Sequence, residues 1–147
     1  FHSMSRGGEH LGRRGLRGLA LAALCLQGAS AWGAAQKYLV VAAPSASRIA
    51  YLRLPETGAP ATGSEPMETL IDSGLTFPQG VAVDDYRRML YVADPALGKL
   101  VGYSLRHEGG RLSGGPQETV ASGAEVRSVS VDGVGNIFMT DEPTQRV

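Results

Sequence analysis

From Tyr38 onward the chain is a succession of short apolar runs separated by Gly, Pro, Asp and Ser clusters. YLVVAA (38–43), RIAYLRL (48–54), METLID (67–72), GVAVD (80–84), MLYVAD (89–94), KLVGYSL (99–105), QETVAS (117–122), SVSVD (128–132) and NIFMTD (136–141) each read as a strand. They are β-branched or aromatic and four to seven residues long, with turn residues at both ends. No stretch shows apolar positions at helical spacing for a useful length. The pattern predicts an all-β fold of many short antiparallel strands: a sandwich, a barrel or a propeller.

Self-similarity separates these three. VAVDDYRRMLYVADPALGKL aligns with VSVDGVGNIFMTDEPTQRV at an offset of 48 before the central turn and 47 after it. Val81 falls on Val129, Asp84 on Asp132, Tyr91 on Phe138, Asp94 on Asp141 and Lys99 on Arg146. VVAAPSASRIAYLRL aligns with VADPALGKLVGYSL at an offset of 51, with Pro44 on Pro95 and Ile49 on Leu100. Repeats of about 50 residues, four strands each, have the spacing of propeller blades. The expected organisation is blade one over 38–72, blade two over 80–122 and blade three over 128–147.

The N-terminal segment has a different texture. Arg6, Arg13, Arg14 and Arg17 precede the apolar block LALAALCL (Leu19–Leu26), and Ala29-Ser30-Ala31 follows it. This order predicts a secretory signal cleaved after Ala31, with Met4 as the start and 32–147 as the mature chain. Alternatives are a twin-arginine export signal on Arg13-Arg14 or an organelle transit peptide. The apolar block is shorter than the ~20 residues a membrane span needs, so no stable span is expected in the mature chain.

Composition sharpens the picture in two places. The full chain of 147 residues has zero formal net charge. Residues 1–31 hold four arginines and one acid, Glu9, so the remainder carries 10 basic and 13 acidic residues, a net charge of −3. With no basic patch, nucleic acid is not an expected partner. Cys25, the only cysteine, falls inside the segment assigned to the signal, so the mature chain has no disulfide.

With the repeat in hand, a resemblance can be named. Val81-Ala82-Val83-Asp84, a turn, then Leu90-Tyr91 and Asp94 resemble the YWTD-type blade of lipoprotein-receptor propellers, with Val92 and Ala93 in place of its Trp and Thr. Asp132-Gly133, Gly135-Asn136 and Asp141 before a basic-aliphatic pair resemble NHL and gluconolactonase-type blades. The resemblance implies a six-bladed, TolB-like propeller, of which this chain holds about two and a half blades. The remaining blades would come from a C-terminal part beyond Val147, and blade one would lack its own inner strand.

Candidate chemistry follows from position. Asp94 and Asp141 close the second strand of their blades, and Asp84 and Asp132 close the first. Recurrence favours a turn-stapling role for all four, since a catalytic acid is needed once and a turn in every blade. Arg87 and Arg88 are expected to be solvated turn residues. In a blade, the loop entering the first strand and the loop leaving the second lie on one surface, which makes Gln79, Glu125, Arg127 and Glu142 the candidate ligand contacts. His107, the only histidine after residue 31, falls in a loop expected over 106–116 on the opposite surface, which argues against a Ser-His-Asp triad. No P-loop, nucleophile elbow, zinc motif or EF-hand loop occurs, so catalytic and metal residues stay unassigned. The leading expectation is a secreted repeat module that binds a protein or small-molecule ligand. The alternative is a gluconolactonase-like hydrolase of lactones or esters that uses calcium, with acidic and Asn ligands gathered from several blades.

Overall fold

Alternation, turn chemistry and burial explain the arrangement of the computed structural model, which describes residues 36–55 and 66–142 together with the backbone of Ala22–Cys25. Among the described residues, ten strands form three antiparallel sheets in chain order. Sheet one contains β1 (Ala22–Cys25), β2 (Lys37–Ala43), β3 (Arg48–Leu54) and β4 (Glu68–Ile71). Sheet two contains β5 (Gly80–Asp84), β6 (Met89–Asp94), β7 (Lys99–Glu108) and β8 (Arg111–Ser122). Sheet three contains β9 (Val126–Val131) and β10 (Ile137–Asp141). The fold is all-β, and every strand pairing is an antiparallel one between chain neighbours.

Sheet two is apolar on both faces because it is packed on both faces. Leu90 and Val92 of β6 point to sheet one, where they meet Val40, Ile49 and Tyr51. Tyr91 and Ala93, one residue out of phase, point to sheet three and meet Val126, with Val129 and Ile137 packed alongside. This is the two-residue period of a strand applied to a layer with no solvent side. Leu90, Val92 and Val101 are completely buried. Burial of each such side chain contributes about 1.5–3 kcal/mol relative to leaving it exposed.

The first strands of successive sheets lie against one another: β5 contacts β1 and β9. Gly80 makes the second contact possible. A Cβ there would lie 2.7 Å from the Arg127 carbonyl oxygen and 2.9 Å from the Ser128 Cα, both backbone atoms that cannot step aside. The outer strands β4 and β8 also touch, so sheets one and two meet along their whole width.

Three features differ from the expectation. The stretch 106–116 is not a loop: β7 and β8 remain paired down to Glu108 and Arg111. Gly109 and Gly110, at φ 58° and 80°, form the two-residue turn, a conformation glycine adopts without a Cβ penalty. His107 is therefore a strand residue opposite Leu112, with its ring 5.6 Å from that of Tyr38. The hairpin tip leans on sheet one, where the Tyr38 hydroxyl and the Arg53 guanidinium both donate to the Gly110 carbonyl. The third difference is at the inner edge of sheet one. The position expected to be empty carries β1, with Ala22 opposite Ala42 and Cys25 opposite Leu39. The rest of the segment assigned to the signal, including Ala31, lies outside the described residues, as do 56–65 and 143–147.

Candidate functional site

The strand-closing acids build the surface on which the candidate contacts sit. Asp94 ends β6 and is completely buried. Its carboxylate accepts from the N–H groups of Thr76 (2.7 Å) and Phe77 (3.0 Å) in the loop entering sheet two. It also accepts from the N–H of Leu97 (3.2 Å) in its own turn. Asp141 ends β10 and accepts from the N–H of Glu125 (3.1 Å) in the loop entering sheet three. Phe77 and Glu125 are 48 residues apart and Asp94 and Asp141 are 47 apart, so the same bond recurs at the repeat distance. Ala43 holds the equivalent position in sheet one. There Ser47, left-handed at φ 48°, donates its hydroxyl to the Thr76 carbonyl at 2.7 Å instead.

Asp84 and Asp132 perform a similar task at the other end of the first strands. Asp84 accepts from the backbone N–H of Arg87 and from its guanidinium, both at 2.8 Å. Burial of Asp84 would by itself raise its pKa. The hydrogen bonds and positive charge of Arg87 outweigh that and hold it below the ordinary aspartate value. Asp132 accepts from the N–H groups of Asn136 (2.8 Å) and Val134 (3.0 Å) and from the Asn136 side chain (2.7 Å). The Asn136 backbone bond leads in lowering its pKa. Arg87 is more than a solvated turn residue, because it also donates to the Val134 carbonyl at 3.0 Å and so joins the first turns of sheets two and three.

The four candidate contacts come together. Arg127, near the start of β9, directs its guanidinium into a cluster with the other three. Its Nη1 donates to the Gln79 side-chain oxygen at 3.5 Å, its Nη2 donates to a Glu125 carboxylate oxygen, and its Nε pairs with Glu142. Gln79 is fixed from below, since its N–H donates to the Ala93 carbonyl at 2.9 Å. The N–H of Glu142 donates to the Glu125 carbonyl, which closes the cluster on its backbone side. The Glu142 side chain is 59% exposed and that of Arg127 43%, so the group is open to solvent.

Chemically, the cluster is one cation between two carboxylates and an amide. A guanidinium has five N–H donors, of which these partners engage three. Such an arrangement has the chemistry to engage polar groups through charge-assisted hydrogen bonds. It contains no nucleophile and no histidine; His107 lies at the opposite end of β7 from this surface. Among the described residues no group of three His, Cys, Asp or Glu gathers as a metal site. No helix among the described residues is long and apolar enough to cross a membrane. Sequence reasoning missed the Phe77 ring, 40% exposed on the same loop that Asp94 holds, which offers an apolar neighbour on this surface. Its signal was an aromatic residue in a loop.

Comparison with protein-family models gives no match, and no curated protein matches the chain.

Proposed function

We propose that the chain is part of an exported, propeller-type repeat module that binds a protein or small-molecule ligand on the surface carrying Arg127. The observation that carries this reading is the convergence of Gln79, Glu125 and Glu142 on that one guanidinium. Support for the repeat architecture comes from the recurring bond of Asp94 and Asp141 and from the adjacency of β1, β5 and β9. The strand-closing acids are engaged by backbone N–H groups, whereas the Arg127 cluster is open to solvent on this surface. Binding accounts for it without a reacting group.

The full chain, immobilised and screened against peptide and glycan panels, tests the proposal. Ligands should be found whose affinity drops at least about tenfold in Arg127→Ala and is unchanged in Arg111→Ala at the opposite end of sheet two. Ligands indifferent to Arg127→Ala would refute the assignment. Calcium-dependent hydrolysis of a simple lactone by the same protein would favour a hydrolase instead.

A further inference from the structure

A second site lies away from that surface, at the outer rim where sheets one and two meet. A cleft of about 280 Å³ opens between β4 and β8. Its size is near the lower limit of about 300 Å³ for small-molecule pockets, which suits a single ring of sugar size.

The local sequence makes the cleft. β8 is bulged between the partners of Tyr103 and Leu105, and the bulge carries Gly114-Gly115-Pro116. A Cβ on Gly114 would lie 2.3 Å from Ile71 Cδ1, and one on Gly115 would lie 2.1 Å from Ser104 Oγ. A side chain at either position would displace the Ile71 or Ser104 side-chain tip that packs there. Pro116 has no N–H to leave unpaired on an edge strand.

The polar groups in the cleft are oriented by one another. Gln117 Nε2 donates to the Gly74 carbonyl at 2.9 Å and to the Tyr103 hydroxyl oxygen at 2.7 Å. A carbonyl can only accept, so the Gly74 contact fixes which end of the Gln117 amide is nitrogen. The Tyr103 oxygen must then accept, and its own proton is directed elsewhere. Tyr103 is 3% exposed as a residue and lines the cleft, so that proton is available to an acceptor placed there. A ligand acceptor in the cleft would complete the hydrogen bonding of that hydroxyl. Gln117 Oε1 is an acceptor beside it, and the exposed carboxylate of Asp72 stands at the rim. Among the described residues, no cationic side chain lines the cleft.

We infer that this cleft binds a small neutral polyol, one that accepts from the Tyr103 hydroxyl and donates to Gln117 and Asp72. A hydroxyl group does both. An anion would meet Asp72 and no compensating cation. A cation would find only neutral groups in the depth of the cleft.

Chemical-shift titration of the isotope-labelled full chain with glucose, myo-inositol and glycerol tests this, with choline and acetate as charged probes. At least one polyol should shift the amides of Gly74, Gly114, Gly115 and Gln117 saturably. Tyr103→Phe, which keeps the ring and removes the donor, should weaken that binding at least about tenfold. Gln117→Leu, at an exposed position that leaves the core intact, should weaken it as well. No saturable shift with any polyol to about 100 mM, a Kd far weaker than the millimolar range, would overturn the inference. So would unchanged binding in a folded Tyr103→Phe or Gln117→Leu protein, or choline or acetate shifting the same amides instead.

Discussion

Asp94 and Asp141 occupy equivalent positions and carry unequal loads. Asp94 is fully buried and receives backbone N–H groups from three residues, whereas Asp141, with Glu125 N–H among its donors, is only half-buried. Asp94→Ala leaves three donors without their acceptor and should cost about 3 kcal/mol. Asp141→Ala, at a position where water can reach the freed donors, should cost less, about 1 kcal/mol. Urea unfolding of the two variants measures the order, and equal costs would contradict the staple account. Asp84 and Asp132, with Glu68, contribute to the acid pH dependence. Both aspartates have pKa values lowered in the folded chain, so unfolding is accompanied by proton uptake once pH nears their unfolded values. The stability they contribute is fully present above about pH 4 and is lost as pH falls through their folded values. Asp84→Asn should flatten the acid limb of a plot of urea midpoint against pH. A steeper limb in that variant would show the opposite sign.

At the scale of elements, the strand positions were legible because both faces of sheet two are buried. A period of two on an all-apolar strand leaves few other readings for Leu90-Tyr91-Val92-Ala93. The hairpin over 106–116 was not legible. Arg106-His107-Glu108-Gly109-Gly110-Arg111 is a polar run around a glycine pair, which locally reads as a loop. What pairs it is distant: Tyr38 and Arg53 hold Gly110, and the Tyr51 hydroxyl accepts from the N–H of Leu112. Those partners lie 57 to 72 residues away, beyond any local pattern. The shared surface of Gln79, Glu125, Arg127 and Glu142 follows from strand direction alone. Their meeting on one guanidinium depends on side-chain reach, which periodicity does not encode. Between elements, Gly80 is the tightest point. Gly80→Ala places a Cβ within 3.1 Å of three backbone atoms of β9. It should cost about 1–3 kcal/mol by prising β5 from β9, read as a lower thermal midpoint with secondary structure retained below it. A variant as stable as the parent would mean the two strands do not touch.

Across the whole molecule, the proposal that the N-terminal apolar segment is a cleaved signal competes with its place in sheet one. As a cleaved signal, residues 1–31 leave the chain. As β1, Ala22–Cys25 fill the inner edge of sheet one and touch β5. The chain with residues 1–31 deleted should therefore expose the β2 edge, and amides in Leu39–Ala42 should exchange faster with deuterium than in the full chain. Unchanged protection would show that β1 does not hold that edge. The layered fold rests on the stacking of successive sheets through their first strands, and this can be observed directly. In a nuclear Overhauser spectrum of the labelled full chain, the Gly80 Hα protons should show strong cross-peaks to Ser128 Hα or the Val129 amide proton. The absence of those cross-peaks, in a spectrum that does show the pairing of β5 with β6, would contradict the stacked-sheet arrangement.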